Sequence, residues 1–119
     1  MSTGTKDYAA ITGAINEGIK GLRETGAAET MNQFAVLSKA ALADGALDKK
    51  MKELIALSIG VSKQCDGCIG FHTRALKRLG ATDGEVAEAL GMVVYMGGGP
   101  SLMYAADAWT AWQALADAG

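Results

Sequence analysis

Apolar residues recur at intervals of three and four along much of this chain, which is the spacing of one face of an α-helix. The pattern is clear at Ile11, Ile15, Ile19 and Leu22, and again over residues 31–42. The 119 residues include a single proline and many alanines, whereas the β-branched and aromatic residues that favour strands are few. The sequence therefore predicts an all-α fold with short connections and no convincing strand.

Local capping signals divide the chain into about six helices. Asp48 can cap a helix that runs through residues 54–61, where nearly every position is apolar or small, as in a buried helix. Thr82 and Glu85 have the spacing of a capping box before another apolar run. The glycines at 97–99 then separate that helix from the last one.

The two ends of the chain differ in character. Residues 1 to about 10 are predicted to form a loose tail. The last helix contains Tyr104, Trp109 and Trp112, which suit core packing or, as a second interpretation, an interface between subunits. We find neither an internal repeat nor a long linker, so we expect a single domain over residues 1–119.

Charge and hydropathy exclude several classes of partner. A net charge of -2 gives no reason to expect binding to nucleic acid or to an anionic membrane surface. The most apolar stretch, residues 86–96, is too short to span a bilayer, and no run of signal-peptide type is visible at the start. We therefore expect a cytoplasmic protein. In that compartment a close cysteine pair is more often catalytic or metal-binding than structural.

Both cysteines and the single histidine lie within eight positions, at Cys65, Cys68 and His72. If the segment is helical, the offsets of three and four place all three side chains on one face. A helix N-terminus favours thiolate, and an imidazole can accept the thiol proton. His72 follows Cys68 by one turn, so Cys68 is the better candidate for the activated sulfur and Cys65 for the thiol that resolves it.

Glu53 lies twelve residues before Cys65 and has two interpretations. If its helix and the cysteine helix form an antiparallel hairpin about residues 63–64, Glu53 lies roughly 15 Å from the turn and His72 roughly 12 Å. The two could then meet, and the carboxylate could orient His72 or relay a proton. The alternative is a solvated carboxylate near the helix start that complements the dipole. The local sequence leaves both open.

Metal and haem sites fit the motif less well. A c-type haem site needs histidine directly after the second cysteine, where Ile69 stands. Structural zinc and iron–sulfur clusters need four ligands, and only three are available. A catalytic zinc held by two cysteines, one histidine and a water is left open as a minor alternative. We expect no metal and no cofactor beyond the cysteine pair.

The combined pattern resembles a known family, the alkylhydroperoxidase-D (AhpD)-like, carboxymuconolactone decarboxylase superfamily. The matching residues are Glu53, Cys65, Cys68, His72, Ala75, Leu79, Gly80 and residues 85–90, and residues 95–104 are similar to its small single-domain members. The resemblance covers roughly residues 30–110. It implies an all-helical fold whose subunits assemble as homotrimers or homohexamers.

The resemblance also implies a role for each site residue. Cys68 would attack a hydroperoxide, Cys65 would be its partner in the disulfide, and His72 and Glu53 would form a proton relay. Some members carry a second histidine between the cysteines, where this chain has Asp66 and Gly67. A thiol donor, for example of the lipoyl-protein type, would recharge the disulfide.

We therefore expect a thiol-dependent peroxidase or disulfide oxidoreductase that acts on small hydroperoxides. Two other hypotheses stay open. One is a decarboxylase that uses His72 and Glu53 as acid and base, although the decarboxylases of this superfamily generally lack the cysteine pair. The other is a non-enzymatic oligomer that senses redox state, in which the disulfide switches an interface.

Overall fold

The computed structural model describes residues 5–118, with side chains up to residue 115. Its six helices are α1 (Tyr8–Arg23), α2 (Ala28–Leu42), α3 (Lys49–Ser62), α4 (Asp66–Arg78), α5 (Asp83–Gly97) and α6 (Gly99–Ala118). Residues 5–118 contain no strand, so the all-α prediction is confirmed. None of these six helices combines the length and the apolar character needed to cross a membrane.

Helix α1 begins earlier than the sequence suggests. Asp7 is its N-cap, and the Asp7 carboxylate accepts a hydrogen bond from the backbone N–H of Ala10 at 3.1 Å. The side chain of Tyr8 reaches α6 and donates to Asp107. The prediction of a loose tail is therefore wrong for residues 7–10, because a cap and a long-range contact hold them. Residues 1–4 lie outside the described part of the chain.

Helices α3 to α6 enclose the core. Its fully buried large side chains come from all four helices, namely Leu57, Val61, Ile69, Leu76, Val86 and Trp112. Burial of each such side chain contributes about 1.5–3 kcal/mol. Trp112 is 2% exposed, and its indole N–H donates to Asp83 Oδ1 at 2.7 Å, so this buried polar atom is satisfied. The core interpretation of Trp112 is confirmed.

The predicted helix starts are also present. The Asp48 carboxylate accepts from the N–H of Met51 at 2.8 Å at the start of α3. Thr82 and Glu85 make both bonds of a capping box at the start of α5. Such caps satisfy backbone N–H groups that have no partner within the helix.

Helix α2 forms as predicted, but none of its residues is buried, and all of them are described. Phe34, Val36 and Leu37 are each at least 60% exposed. Short helices in proteins owe most of their stability to packing of an apolar face. Phe34, Val36 and Leu37 have no cover of that kind within residues 5–115.

Helix α1 packs closely on α4 at Gly70. A Cβ atom at Gly70 would lie 2.5 Å from Thr12 Cγ2 and 3.2 Å from Tyr8 Cδ1. Thr12 is buried and accepts a hydrogen bond from Arg74 Nη1 at 2.8 Å. Only a residue without a side chain allows the two backbones to approach this closely. The contact fixes α1 on the helix that begins beside the cysteines.

We expect Gly70→Ala to lower the free energy of unfolding by about 1–3 kcal/mol, because the added methyl group overlaps Thr12. Gly18→Ala is the matched control, since a Cβ atom there meets nothing within 4 Å and α1 is helical at that point. The control should raise stability by about 0.5–1 kcal/mol. Urea denaturation of both variants checks this, and equal effects would show that the close approach is absent.

Candidate functional site

The turn between α3 and α4 fixes the backbone of Cys65. The N–H of Gln64 donates to Val61 O at 3.0 Å and the N–H of Cys65 donates to Gly60 O at 2.9 Å. Together these bonds form a Schellman motif at the end of α3. Gln64 has φ 56°, the left-handed position that glycine usually occupies in this motif. Cys65 thus leaves α3 in a defined direction.

Cys65 is also the N-cap of α4. Its backbone is extended, with φ −105° and ψ 100°, and its Sγ atom accepts from the N–H of Cys68 at 3.2 Å. Cys65 therefore precedes the helix and does not share its face, which corrects the helical placement of this residue. The sulfurs still meet, because an N-cap side chain folds back over the third helical residue, here Cys68.

The structure joins Cys65 and Cys68 in a disulfide, with Cα atoms 5.2 Å apart. Both residues are half-buried. A Cβ atom added at Gly60 would lie 2.6 Å from Cys68 Cβ, so Cys68 packs directly on the backbone of α3. The pair is held from one side by the end of α3 and is partly exposed to solvent on another.

Glu53 and His72 meet across the α3–α4 hairpin. His72 Nδ1 lies 2.6 Å from Glu53 Oε2. Glu53 is 4% exposed, so its interpretation as a solvated carboxylate is wrong, and the contact expected from the hairpin is confirmed. When Glu53 is ionised, this bond places the proton on Nδ1 and leaves the Nε2 lone pair free to accept another.

This arrangement is suited to dithiol chemistry. The unpaired N–H groups and the positive end of the α4 dipole lie at the two sulfurs, and both favour thiolate once the disulfide is reduced. His72 lies on the same helix, four residues after Cys68, with a buried carboxylate bound to its Nδ1 atom. The site thus combines a cysteine pair, an imidazole and a buried carboxylate bound to it.

The residues that the structure describes do not form a metal site. Among residues 5–115, no group of three or more histidine, cysteine, aspartate or glutamate side chains is arranged to hold a metal ion. In the disulfide form the two sulfurs are bonded to each other. The described residues therefore offer no support for the zinc alternative.

A charged cluster that the sequence did not predict lies beside the cysteines. Lys6 Nζ lies 3.0 Å from Asp66 Oδ1 and 3.2 Å from Asp107 Oδ2, and 4.8 Å from the centre of the Tyr104 ring. Burial alone would lower the pKa of Lys6, but its bonds to the two carboxylates outweigh burial and raise it. Burial and the Asp107 hydrogen bond raise the pKa of Tyr8 far above its usual range. Lys6 therefore stays charged and Tyr8 stays a donor.

The fold and the site define a class, an all-α protein with a Cys-x-x-Cys pair at the start of a helix. The sequence profile of the Carboxymuconolactone decarboxylase family matches residues 28–111. This chain therefore belongs to that family, as the resemblance indicated. The family lies in a superfamily that contains enzymes.

Solved structures of the same family share the fold. An apo carboxymuconolactone decarboxylase family protein of Legionella pneumophila is 53% identical, with a TM-score of 0.86 over 89% of this chain and 94% of that one. A Thermotoga maritima member, for which a role in an antioxidative response has been suggested, is 28% identical. Its TM-score is 0.75 over 94% of this chain and 92% of that one.

Two bacterial relatives without an assigned function also match. An uncharacterised protein of Cupriavidus necator is 45% identical over 85 residues, which are 71% of this chain and 75% of the relative. A protein of the cox locus of Paracoccus denitrificans is 40% identical over 72 residues, or 60% of this chain and 65% of the relative. The similarity to these relatives adds no activity.

We expect Glu53→Gln to lower the fraction of Cys68 that is ionised at neutral pH. The substitution preserves the shape of the buried side chain. A carboxylate stabilises the imidazolium that forms when His72 accepts the thiol proton, and an amide does so less. In a Cys65→Ser background, which leaves one thiol, alkylation by iodoacetamide at neutral pH should fall about 3- to 10-fold.

Glu88→Gln is the matched control, because Glu88 is exposed on α5. Its alkylation profile against pH should superimpose on that of the Cys65→Ser parent. A superimposable profile for Glu53→Gln as well would remove Glu53 from any proton relay and leave it a structural partner of His72.

Proposed function

We propose that this protein is a thiol-dependent peroxidase that reduces small hydroperoxides through Cys68, with Cys65 as the resolving thiol. The observation that supports it is the disulfide at the N-terminus of α4, one helical turn before a histidine bound to the buried Glu53. Two thiols, a proton acceptor and its orienting carboxylate are the groups that such a reaction needs.

The first step oxidises one sulfur. The Cys68 thiol loses its proton to His72, and the thiolate attacks the terminal oxygen of the hydroperoxide. An S–O bond forms and the O–O bond breaks, which leaves Cys68 as a sulfenic acid. The departing alkoxide takes the proton from His72 and becomes an alcohol.

The second step closes the disulfide. The Cys65 thiolate attacks the Cys68 sulfur, an S–S bond forms, and the S–O bond breaks. The departing hydroxide combines with the Cys65 proton to give water. The sum is two thiols and one hydroperoxide converted to a disulfide, an alcohol and water.

A dithiol donor would return the pair to its reduced form by thiol–disulfide exchange, and we propose one of the lipoyl-protein type. The half-exposed cysteines are compatible with attack by an external thiolate. We assign this cycle to the cytoplasm, where cysteine pairs of this kind usually serve in catalysis. The antioxidative role suggested for the Thermotoga maritima protein fits the same chemistry.

Titration of the reduced protein with tert-butyl hydroperoxide, with free thiols counted after each addition, tests the proposal. We expect two thiols to disappear for each hydroperoxide consumed. Cys68→Ser should reduce consumption to the uncatalysed background. Cys65→Ser should consume one equivalent and then stop at the sulfenic acid, because nothing resolves it.

Full hydroperoxide consumption by Cys68→Ser would contradict the mechanism. Release of carbon dioxide from a lactone acid by a variant that carries both Cys65→Ser and Cys68→Ser would instead favour the decarboxylase hypothesis. Both results come from proteins that keep His72 and Glu53, so they separate thiol chemistry from acid–base chemistry.

We further propose that the subunits assemble as homotrimers or homohexamers and that α2 contributes to the interface. Phe34, Val36 and Leu37 expose apolar surface on a helix in which no residue is buried against the described residues 5–115. Contiguous apolar surface of this kind is typical of contacts between proteins. A second apolar surface lines a groove of about 470 Å³ between α3 and α5, with Ile59, Met92 and Met96 in its walls.

We expect light scattering to give a mass three or six times that of the 12.2 kDa chain. The double variant Phe34→Ser, Leu37→Ser should lower that mass, because it removes apolar surface from the proposed interface. Leu79→Ser is the control, since Leu79 is an exposed leucine after α4 and should leave the mass unchanged. A parent protein that runs as a monomer would contradict the assembly.

A further inference from the structure

The charged cluster formed by Lys6, Tyr8, Asp66, Tyr104 and Asp107 lies directly beside the redox pair. We propose that Lys6 is a positioning residue for this pair, which holds the Asp66 carboxylate and offsets its charge so that thiolate forms readily. The inference rests on the dithiol chemistry proposed for Cys65 and Cys68. It concerns how readily that dithiol ionises and reduces, and not which substrate oxidises it.

Asp66 creates an electrostatic conflict within the motif. It is the first residue of α4 and directly follows Cys65, the N-cap. A carboxylate in the first turn stabilises the helix through the dipole. The same carboxylate opposes a second negative charge on either nearby sulfur. A cation bound to Asp66 leaves the carboxylate in the first turn, where it stabilises the helix. The cation also reduces the repulsion between that carboxylate and a thiolate.

Lys6 is placed to be that cation. Its ammonium donates to Asp66 at 3.0 Å and to Asp107 at 3.2 Å, so it bridges the start of α4 to α6. Tyr8, two residues later, donates to the same Asp107 carboxylate. The side chain of Tyr8 in turn lies against Gly70 of α4. These contacts define the position of the ammonium, and the ring of Tyr104 lies under it at 4.8 Å.

Other charged or titratable groups lie on the two helices that carry or precede the cysteines. Helix α3 contributes Glu53 and, at its C-cap, Lys63, and α4 contributes His72. Glu53 is bound to His72. Lys6 is the residue that forms an ion pair with the carboxylate inside the Cys-x-x-Cys motif. Its removal would leave Asp66 without that pairing, whatever the state of the Glu53–His72 pair.

The redox consequence follows from the thiolate. Stabilising the thiolate stabilises the reduced form, so the disulfide becomes easier to reduce. With Lys6 present, a dithiol donor can therefore recharge the pair more readily. Without it, the thiol should ionise at higher pH and the disulfide should resist reduction.

Lys6→Met tests the inference through two measurements that need no hydroperoxide. The pH midpoint of alkylation, measured in the single-cysteine backgrounds, should rise by about 0.5–1 unit, as expected for one unit charge at a partly exposed site. The equilibrium constant for reduction of the disulfide in a glutathione buffer should fall about 3- to 10-fold. High salt should shrink both effects, because the cluster is partly exposed.

Three further variants make the result specific. Lys6→Arg keeps the charge and should restore both values, and Asp66→Asn should shift both in the opposite direction. Lys50→Met is the matched control. It breaks a lysine–carboxylate pair with Glu85 at the far end of α3, about 18 Å along the helix from Ser62.

Lys6→Met values equal to those of the parent, or an equal shift in Lys50→Met, would overturn the inference. If Lys6→Met folds poorly, the Asp66→Asn variant tests the inference by itself. An unshifted pH midpoint of alkylation in Asp66→Asn would also overturn the inference. If the protein fails to consume hydroperoxide but its variants show these shifts, the proposed peroxidase function is rejected and the role of Lys6 stands.

Discussion

The site depends on one constraint, the backbone turn that ends α3 and begins α4. Its two hydrogen bonds, from Gln64 to Val61 and from Cys65 to Gly60, fix the direction in which the chain leaves α3. Because the helices then run antiparallel from a fixed point, the register between them is set. That register places Cys68 against Gly60 near the turn and His72 against Glu53 farther along.

The Glu53–His72 contact is the main structural support for the proposed proton relay. Placing a carboxylate at 4% exposure requires desolvation, and a buried ionic pair is often no more stable than an apolar pair of the same size. The neighbouring buried residues Leu54 and Leu57 show that this part of α3 could accept an apolar side chain. The same reasoning supports a role for the pair in moving a proton to and from a cysteine.

The sequence predicted those features that leave a local signal. Asp48, Thr82 and Glu85 act within three residues of themselves. The helical rise places Glu53 within reach of His72 only once an antiparallel hairpin about residues 63–64 is assumed, and the structure contains that contact. The left-handed Gln64 was missed, because that conformation is rare for glutamine and common for glycine. The extended Cys65 was missed for a related reason, since the Schellman turn upstream determines it. Periodicity also marks one face of α2 as apolar without saying what covers it.

Contacts between distant positions leave no such signal, and Lys6 bound to Asp66 across 60 positions is the clearest case. Cys65 shows why both kinds of contact matter for the chemistry. Its N–H is bound to Gly60 O, and its side chain caps the first turn of α4. The backbone bond to Gly60 involves neither sulfur, so it can persist after reduction and hold Cys65 beside Cys68. A sulfur that is already positioned closes a disulfide faster than one that must first move to its partner. The reason is that the entropy of bringing the two sulfurs together has already been lost on folding.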